Sequence, residues 1–219
     1  MSMIRENLAG VKASLPEGVH LVAVSKTQTI EKIMEAYELG IRDFGENKVQ
    51  ELEMKFEALP KDIRWHFIGG LQTNKVRKLM GKTYLIQSLD RISLAAEINR
   101  RAEMSDQSVD TLIEVNIGEE EQKAGINLKD LPGFIEELRS MERIHVRGLM
   151  AIIPQGSEEE NRHYFHKMKE VFEELKKMES ERIHMEILSM GMTQDYGLAI
   201  EEGSNMVRVG TGIFGTRNK

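Results

Sequence analysis

The 219-residue chain has no cysteine, only 4 prolines and a single tryptophan. The lack of cysteine excludes disulfides, thiolate metal ligands and a cysteine nucleophile, and it is typical of a reducing compartment. No uninterrupted apolar stretch approaches the roughly 18 residues that a membrane span needs. The amino-terminal segment also lacks the apolar run of a secretory signal. We therefore expect a cytoplasmic protein that does not enter a membrane.

Blocks of positive charge are absent as well. The chain has 36 acidic and 30 basic residues, a net charge of −6. Affinity for the phosphate backbone of nucleic acids comes from clustered Lys and Arg, so this composition argues against nucleic-acid binding. His163 and His166 lack a carboxylate that would complete a metal site, and we interpret His66 as a hydrogen-bonded histidine of the core or rim. The expected ligand is a small molecule, without a metal.

Apolar segments of strand length alternate with segments of helical periodicity along the whole chain. The predicted strands are residues 20–26, 41–47, 64–70, 83–90, 111–117, 145–153, 184–190 and 205–214. A helix is predicted after each of the first seven, including one over residues 72–80, and another precedes the first strand. Strands joined by crossover helices pair in parallel. The pattern predicts an α/β protein, a single (β/α)₈ TIM-barrel domain over residues 1–219 with an extra N-terminal helix; an open doubly wound sheet is the alternative.

A barrel of this kind collects its chemistry at the carboxyl-terminal ends of its strands. Lys26 ends the first predicted strand, where its amine would project into the mouth of the barrel. A lysine held against an apolar wall can become a nucleophile that forms a Schiff base with a carbonyl compound. The alternative is an ordinary solvated lysine at a strand end.

Glycines and hydroxyls follow the last two predicted strands. Gly210-Thr211-Gly212 leaves backbone N–H groups accessible to an anion, and Ser189, Gly191 and Thr193 lie on the neighbouring rim. The loops after strands seven and eight are the usual phosphate site of this barrel. The literal match of residues 210–215 to G-x-G-x-x-G does not indicate a dinucleotide site, because no βαβ unit follows it.

Arg208 precedes Gly210 by two residues, so strand alternation directs both to the same side. Near a phosphorylated ligand it could donate to a ring nitrogen or pair with a carboxylate. A pyridine nitrogen that faces a guanidinium stays unprotonated, which weakens the ring as an electron sink. The alternative is a surface arginine or one at the end of the barrel.

The ordered motifs resemble the pyridoxal phosphate homeostasis proteins, a family related to alanine racemase and also described as the proline synthetase co-transcribed type. The resemblance extends from Leu21 to Gly215 through LVAVSKT, DFGENKVQE, WHFIGGLQTNK, SLDR, EVNIGEEEQKAGI, RGLMAI, LSMGMTQDY and VRVGTGIFG. It implies a barrel of the fold-type III class that binds pyridoxal 5′-phosphate (PLP). Two positions depart from the family pattern, which usually has Tyr where Lys48 stands and Ser where Thr193 stands.

The resemblance also implies roles for individual residues. PLP would form an aldimine with Lys26 and lie near Asn47, and Arg208 would face its pyridine nitrogen. The residues expected to hold the phosphate are Ser189, Gly210 and Thr211, with Gly191 on the same rim. No residue is assigned a catalytic role.

The function expected from this resemblance is a PLP-binding homeostasis protein without strong turnover. It would act as a monomer, with the apo forms of PLP-dependent enzymes as partners. The main alternative is a small PLP-dependent amino-acid racemase or decarboxylase, and a third is a Schiff-base aldolase acting on a phosphosugar. A racemase needs two bases on opposite faces of its substrate, whereas Lys26 is the one evident base in the sequence.

Overall fold

Eight parallel strands close into a barrel in the computed structural model, which describes residues 2–120 and 122–216. The strands are β1 (His20–Val24), β2 (Asp43–Glu46), β3 (Arg64–Phe67), β4 (Leu85–Leu89), β5 (Val109–Val115), β6 (Ile144–Ala151), β7 (Ile183–Met192) and β8 (Met206–Val209). β1 pairs in parallel with both β2 and β8, so the sheet has no edge. The predicted barrel is confirmed, and the open doubly wound alternative is wrong. Residue 1, Glu121 of the EVNIGEEEQKAGI motif and residues 217–219 of the predicted domain lie outside the described residues.

Helices follow most of the strands, and one precedes the first. The helices are α1 (Met3–Ala13), α2 (Ile30–Glu38), α3 (Val49–Ala58), α4 (Ile92–Met104), α5 (Leu131–Leu138), α6 (Glu158–Leu175), α7 (Tyr196–Glu201) and α8 (Thr211–Phe214). α1 begins after Ser2, whose side chain accepts a hydrogen bond from the Arg5 N–H, as expected of an N-cap. Asn7 Nδ2 donates to the Ile213 carbonyl at 3.1 Å and joins α1 to α8. The predicted extra N-terminal helix is confirmed.

Two predicted elements differ from the structure. The α-helix predicted over residues 72–80 is a 3₁₀ helix, Thr73–Lys78, and the Leu79 N–H donates to the Val76 carbonyl at 2.9 Å, three residues back instead of four. The strand predicted over residues 205–214 is shorter in the structure, where β8 ends at Val209. The next N–H groups, those of Gly210 and Gly212, donate to the Thr193 hydroxyl instead of to a neighbouring strand. The chain therefore turns into α8 at this point.

The interior of the barrel changes from apolar to polar toward the carboxyl-terminal ends of the strands. Its lower layer is formed by buried apolar side chains, namely Val22, Leu85, Leu112, Met150 and Met206. Because strand side chains alternate, the inward positions two residues further along β4, β5 and β8 carry Gln87, Glu114 and Arg208. The barrel therefore has a packed base, and its polar groups lie beneath the mouth.

Two kinds of feature are absent from the described part of the chain. None of the helices in residues 2–120 and 122–216 is long and apolar enough to cross a membrane. The same residues contain no group of three His, Asp or Glu side chains placed to share a metal ion. His66 is fully buried and lies 2.9 Å from Asp43 Oδ1, which confirms its interpretation as a hydrogen-bonded histidine.

Candidate functional site

A cavity of about 940 Å³ opens at the carboxyl-terminal ends of the strands. Its wall includes Lys26, two residues after the end of β1, Arg208 on β8, and Gly210 and Thr211 after β8. The size falls in the range of roughly 300–1,000 Å³ typical of small-molecule sites. Four residues that the sequence assigned to the site therefore surround one space.

A buried ion pair anchors the main chain that carries Lys26. Lys55 Nζ donates to the Ser25 carbonyl at 2.8 Å and to Glu46 Oε1 at 2.7 Å. The Ser25 hydroxyl donates to the same carboxylate oxygen at 2.6 Å. Burial raises the pKa of Glu46, and this rise is opposed by the Lys55 charge and by the hydrogen bonds from Lys55 and Ser25. Lys26 itself is half-buried, so a fixed backbone presents a side chain that reaches the cavity.

The residue after Lys26 has an unusual backbone conformation. Thr27 has a φ of 64°, which is disfavoured for a β-branched side chain. Its N–H donates to Glu51 Oε2 at 2.8 Å, and Lys55 Nζ lies 3.4 Å from that same oxygen. The turn that directs Lys26 to the mouth of the barrel is thus held by side chains of α3.

Arg208 is the buried cation of the site, with 3% of its surface exposed. Its Nη1 donates to Ser189 Oγ at 2.6 Å, and its Nη2 donates to the Ala151 carbonyl at 2.8 Å. Burial lowers the pKa of Arg208 to about 10, although the charges of Glu114 and Asp195 oppose that change. The guanidinium therefore stays charged at neutral pH. Since a guanidinium has five N–H groups, further donors remain for a ligand in the cavity.

Glu114 lies on β5, two residues after Leu112 of the apolar layer, and is 8% exposed. Burial raises the pKa of Glu114 to about 7; the Asp90 charge adds to this rise and the Arg208 charge opposes it. The side chain consequently changes its charge near neutral pH.

Glu114→Gln is expected to stabilise the ligand-free protein at pH 8 but not at pH 4.5. A glutamate in the unfolded chain loses its proton near its ordinary pKa of 4.5, whereas the folded protein keeps the Glu114 proton until about pH 7. The proton that the folded protein keeps on Glu114 therefore contributes fully to stability below pH 4.5, and this contribution is lost as the pH rises toward 7. The free energy of unfolding of the variant should exceed that of the wild type by up to about 3 kcal/mol at pH 8.

Urea unfolding at the two pH values measures this difference. Glu103→Gln, an exposed change on α4, is the matched control and should alter neither value. If Glu114→Gln changed the free energy of unfolding equally at both pH values, the raised pKa of Glu114 would be contradicted.

Two backbone N–H groups after β8 converge on one hydroxyl. Gly210 and Gly212 donate to Thr193 Oγ1 at 3.3 and 3.2 Å. Because this oxygen accepts both bonds, the hydroxyl proton is available to donate elsewhere, and Thr193 also lines the cavity. The N–H groups of Gly210 and Gly212, which the sequence predicted to be accessible to an anion, are thus already bonded to Thr193, and the Thr193 hydroxyl is the donor left for an anion. The loops after β7 and β8 are neighbours, as the sequence predicted.

Ser189 and Gly191 are not among the residues that line the cavity. Ser189 is fully buried and bonds to Arg208 and to Gln87 Oε1, the latter at 2.7 Å. Gly191 has a φ of 91°, and a Cβ there would lie 2.6 Å from Ala199 Cβ. A glycine is therefore required for the approach of β7 to α7. A direct contact of either residue with a cofactor stays a prediction.

Asn47 lines a separate recess of about 210 Å³ after β2. Lys48 and Lys75 lie on the same recess. Within the described part of the chain, Asn47 Oδ1 is buried without a hydrogen-bond partner. Its expected proximity to the cofactor also stays a prediction.

Sequence reasoning did not single out three polar residues of this region, Gln87, Glu114 and Lys55. Gln87 and Glu114 interrupt apolar strands, and a buried polar side chain needs a partner, so this interruption is the signal that could have found them. Lys55 gave no comparable signal, because a lysine on an amphipathic helix is usually solvated.

The comparisons with known proteins agree with this geometry. Residues 1–218 match the family model described as alanine racemase, N-terminal domain. The pyridoxal phosphate homeostasis protein of Aquifex aeolicus is 46% identical over 199 residues, which cover 90% of this chain and 86% of that protein. The protein of the same name from Escherichia coli is 34% identical over 230 residues, covering 100% of this chain and 98% of its own.

Solved structures share the barrel. PipY of Synechococcus elongatus with PLP bound superposes with a TM-score of 0.89 at 36% identity, covering 97% of this chain and 100% of PipY. An alanine racemase of Clostridium difficile superposes with a TM-score of 0.79 at 16% identity, covering 99% of this chain and 57% of the racemase. At that identity the racemase comparison supports the fold alone.

Proposed function

This chain belongs to the alanine racemase N-terminal domain family and, within it, to the pyridoxal phosphate homeostasis proteins, and from this premise we propose that it binds PLP and holds it as part of intracellular vitamin B6 homeostasis. The observation that carries the proposal is the arrangement of an amine, a buried guanidinium and a turn of hydroxyl and glycine groups around one cavity. Each of these groups complements a different part of the PLP molecule.

The residues of the cavity fit the chemistry of PLP. When bound, PLP supplies an aldehyde that condenses reversibly with a primary amine and releases water. Lys26 is the amine assigned to this bond, and its fixed backbone presents it at the cavity wall. Thr193 and Thr211 supply hydroxyl groups suited to the phosphate, and Gly210 lines the same wall. Asn47, Ser189 and Gly191 remain part of the proposed environment on the strength of the family resemblance.

Arg208 is assigned to the ring nitrogen of PLP. Its pKa of about 10 keeps it a donor at neutral pH, so a nitrogen that faces it accepts a hydrogen bond and stays unprotonated. An unprotonated ring is a weak electron sink, which disfavours carbanion chemistry. This favours retention of the cofactor over strong turnover.

The proposed role is that of a carrier rather than an enzyme with substantial turnover. The relatives are named homeostasis proteins, which supports this role, although weak activity of the racemase type is compatible with the fold. Racemisation requires one base on each face of the substrate. Among the described residues that line the cavity, neither a tyrosine nor a histidine accompanies Lys26. Tyr196 is turned to the surface, where its hydroxyl lies 2.8 Å from Ser14 Oγ.

We propose further that residues 1–219 act as one PLP-binding domain, monomeric and cytoplasmic, that delivers PLP to apo PLP-dependent enzymes. The cysteine-free composition supports a reducing compartment. The exposed large apolar side chains are spread over several elements, which supports a monomer: they are Met3, Met54, Tyr84, Met104, Ile152 and Met192.

Equilibrium dialysis with PLP tests the proposed site, and Thr193→Val is the informative variant. Valine preserves the shape of threonine but removes the hydroxyl, both as a donor to the phosphate and as the acceptor of the Gly210 and Gly212 N–H groups. Loss of a hydrogen bond to a charged group should raise the dissociation constant for PLP by about tenfold or more. Thr83→Val, which lies before β4 at the other end of the barrel, should leave it unchanged. Equal affinities of Thr193→Val and wild type would remove this hydroxyl from the site, and a wild type that binds no PLP would refute the proposed function.

A further inference from the structure

We propose that Gln87, His66 and Asp43 are positioning residues for Arg208, acting through a chain of hydrogen bonds that crosses the interior of the barrel. Arg208 Nη1 lies 2.6 Å from Ser189 Oγ, which lies 2.7 Å from Gln87 Oε1. Gln87 Nε2 lies 3.0 Å from His66 Nδ1, and His66 Nε2 lies 2.9 Å from Asp43 Oδ1. The role toward the cofactor rests on the proposed function, because Arg208 is the residue assigned to the PLP ring.

The five side chains come from five different strands. Asp43 is on β2, His66 on β3, Gln87 on β4, Ser189 on β7 and Arg208 on β8. The chain of hydrogen bonds therefore runs from the amino-terminal end of β2 to the polar layer beneath the cavity. It links the two ends of the barrel through the packed interior.

The donors in this chain all point the same way. A guanidinium can only donate, so Ser189 Oγ accepts from Arg208 and gives its own proton to Gln87 Oε1. The Gln87 amide nitrogen then donates to His66 Nδ1, which leaves the ring proton on Nε2 to be donated to Asp43. With the amide reversed, Gln87 and Arg208 would both donate to Ser189 Oγ, and the hydroxyl proton would lose its acceptor.

Both ends of the chain are fixed. At one end the Asp43 carboxylate also accepts from Arg64 Nε at 2.8 Å. Burial by itself would raise the pKa of Asp43, but the hydrogen bonds from Arg64 and His66 and the charge of Arg64 lower it to about 2, so the acceptor is ionised. At the other end Arg208 is held at a second point by the Ala151 carbonyl. Two contacts on different nitrogens set the plane of the guanidinium, and the contact with Ser189 depends on the chain of hydrogen bonds.

Burial makes each link sensitive to its neighbours. His66, Gln87 and Ser189 are fully buried, and His66 and Ser189 pair in register with Leu85 and Met206 of the apolar layer. A buried polar network is rigid when every member is satisfied and loses its order when one link is removed. Gln87 is the decisive link, because its amide both accepts from Ser189 and donates to His66. Leucine can do neither, and an ionised glutamate can only accept.

The test compares Gln87→Leu with Leu112→Met, a volume-conserving change in the apolar layer that leaves the chain of hydrogen bonds intact. In the first arm, ¹⁵N NMR of the protein without PLP reports the tautomer of His66 and the exchange of the Arg208 guanidinium protons. We expect the Nε2–H tautomer in the wild type and exchange at least about tenfold faster in Gln87→Leu. Leu112→Met should match the wild type.

In the second arm, each protein is titrated with PLP and the absorbance maximum of the lysine-linked cofactor is recorded. Gln87→Leu should shift the maximum and raise the dissociation constant by about tenfold, whereas Leu112→Met should do neither. A purely structural role for Gln87 would lower stability but leave the maximum at its wild-type position, and that result would overturn the proposal.

The two arms separate this proposal from the proposed function. Absence of PLP binding by the wild type refutes the function and the cofactor role, while unchanged Arg208 exchange in Gln87→Leu refutes the positioning alone. If Gln87→Leu does not fold, Gln87→Glu replaces it. Once it is ionised, the glutamate accepts from Ser189 but offers no donor to His66, so a pH titration that ionises the glutamate should move the ring proton of His66 away from the wild-type arrangement. A His66 that keeps its wild-type tautomer in Gln87→Glu throughout that titration would overturn the proposal.

Discussion

Lys26→Ala is expected to abolish the retention of PLP after dialysis while the barrel stays folded. Alanine removes the amine assigned to the covalent bond, and the affinity for PLP should fall by at least about 100-fold. The anchoring contacts of this segment involve the Ser25 hydroxyl and carbonyl and the Thr27 N–H, which the substitution leaves in place. Visible absorbance and bound phosphate after dialysis measure retention, and circular dichroism measures the fold.

Lys48→Ala is the matched control for this experiment. Lys48 is a strongly exposed lysine on the neighbouring recess, and its pairing with Glu51 is loose at 3.8 Å. It should retain PLP as the wild type does. Retention of coloured cofactor by Lys26→Ala, or its loss in Lys48→Ala alone, would show that the amine was assigned to the wrong lysine.

Lys55→Met should lower the free energy of unfolding by about 3–5 kcal/mol. The substitution keeps most of the apolar volume but leaves the Glu46 carboxylate buried and without its cation. It also removes the donor to the Ser25 carbonyl, which lies next to Lys26. Urea unfolding at pH 7 measures the effect, and PLP retention should fall in the same variant because the backbone that presents Lys26 is no longer fixed.

Two further variants test whether the loss of the Lys55–Glu46 ion pair causes the destabilisation. Lys61→Met removes an exposed lysine whose pair with Glu57 spans 3.8 Å, and it should cost no more than about 1 kcal/mol. The double variant Glu46→Gln with Lys55→Met has no unpaired buried charge, so it should recover part of the loss. A cost for Lys55→Met as small as that for Lys61→Met would contradict the importance of the buried pair.

The fold was largely predictable because the relevant signals are local. Strand-length apolar runs alternate with helical periodicity, and the crossover rule turns that order into a parallel sheet. The end of β8 was not predictable, because Gly210 and Gly212 leave the strand for the Thr193 hydroxyl, a contact from a distant loop. Local periodicity also failed to distinguish an α-helix from the 3₁₀ helix Thr73–Lys78, because both place apolar residues three positions apart on one face.

The candidate site was partly predictable for a related reason. Lys26, Arg208 and Gly210 lie together because the carboxyl ends of parallel strands meet at one face of the barrel. The supporting groups depend on which side chains meet across the interior. Gln87 and Ser189 lie 102 positions apart in the chain yet share a hydrogen bond, and no spacing rule relates them. Helix periodicity likewise does not predict the pairing of Lys55 with Glu46.

The most direct test is to load the protein with PLP, reduce it with borohydride, digest it and locate the modified residue by mass spectrometry. Reduction fixes the bond between cofactor and amine, so the modified side chain keeps the added mass through digestion. We expect a single modified peptide in which Lys26 carries the cofactor. An adduct on Lys48, Lys55 or any other lysine, or bound PLP that leaves no adduct, would contradict the assignment of Lys26 as the residue that holds the aldehyde.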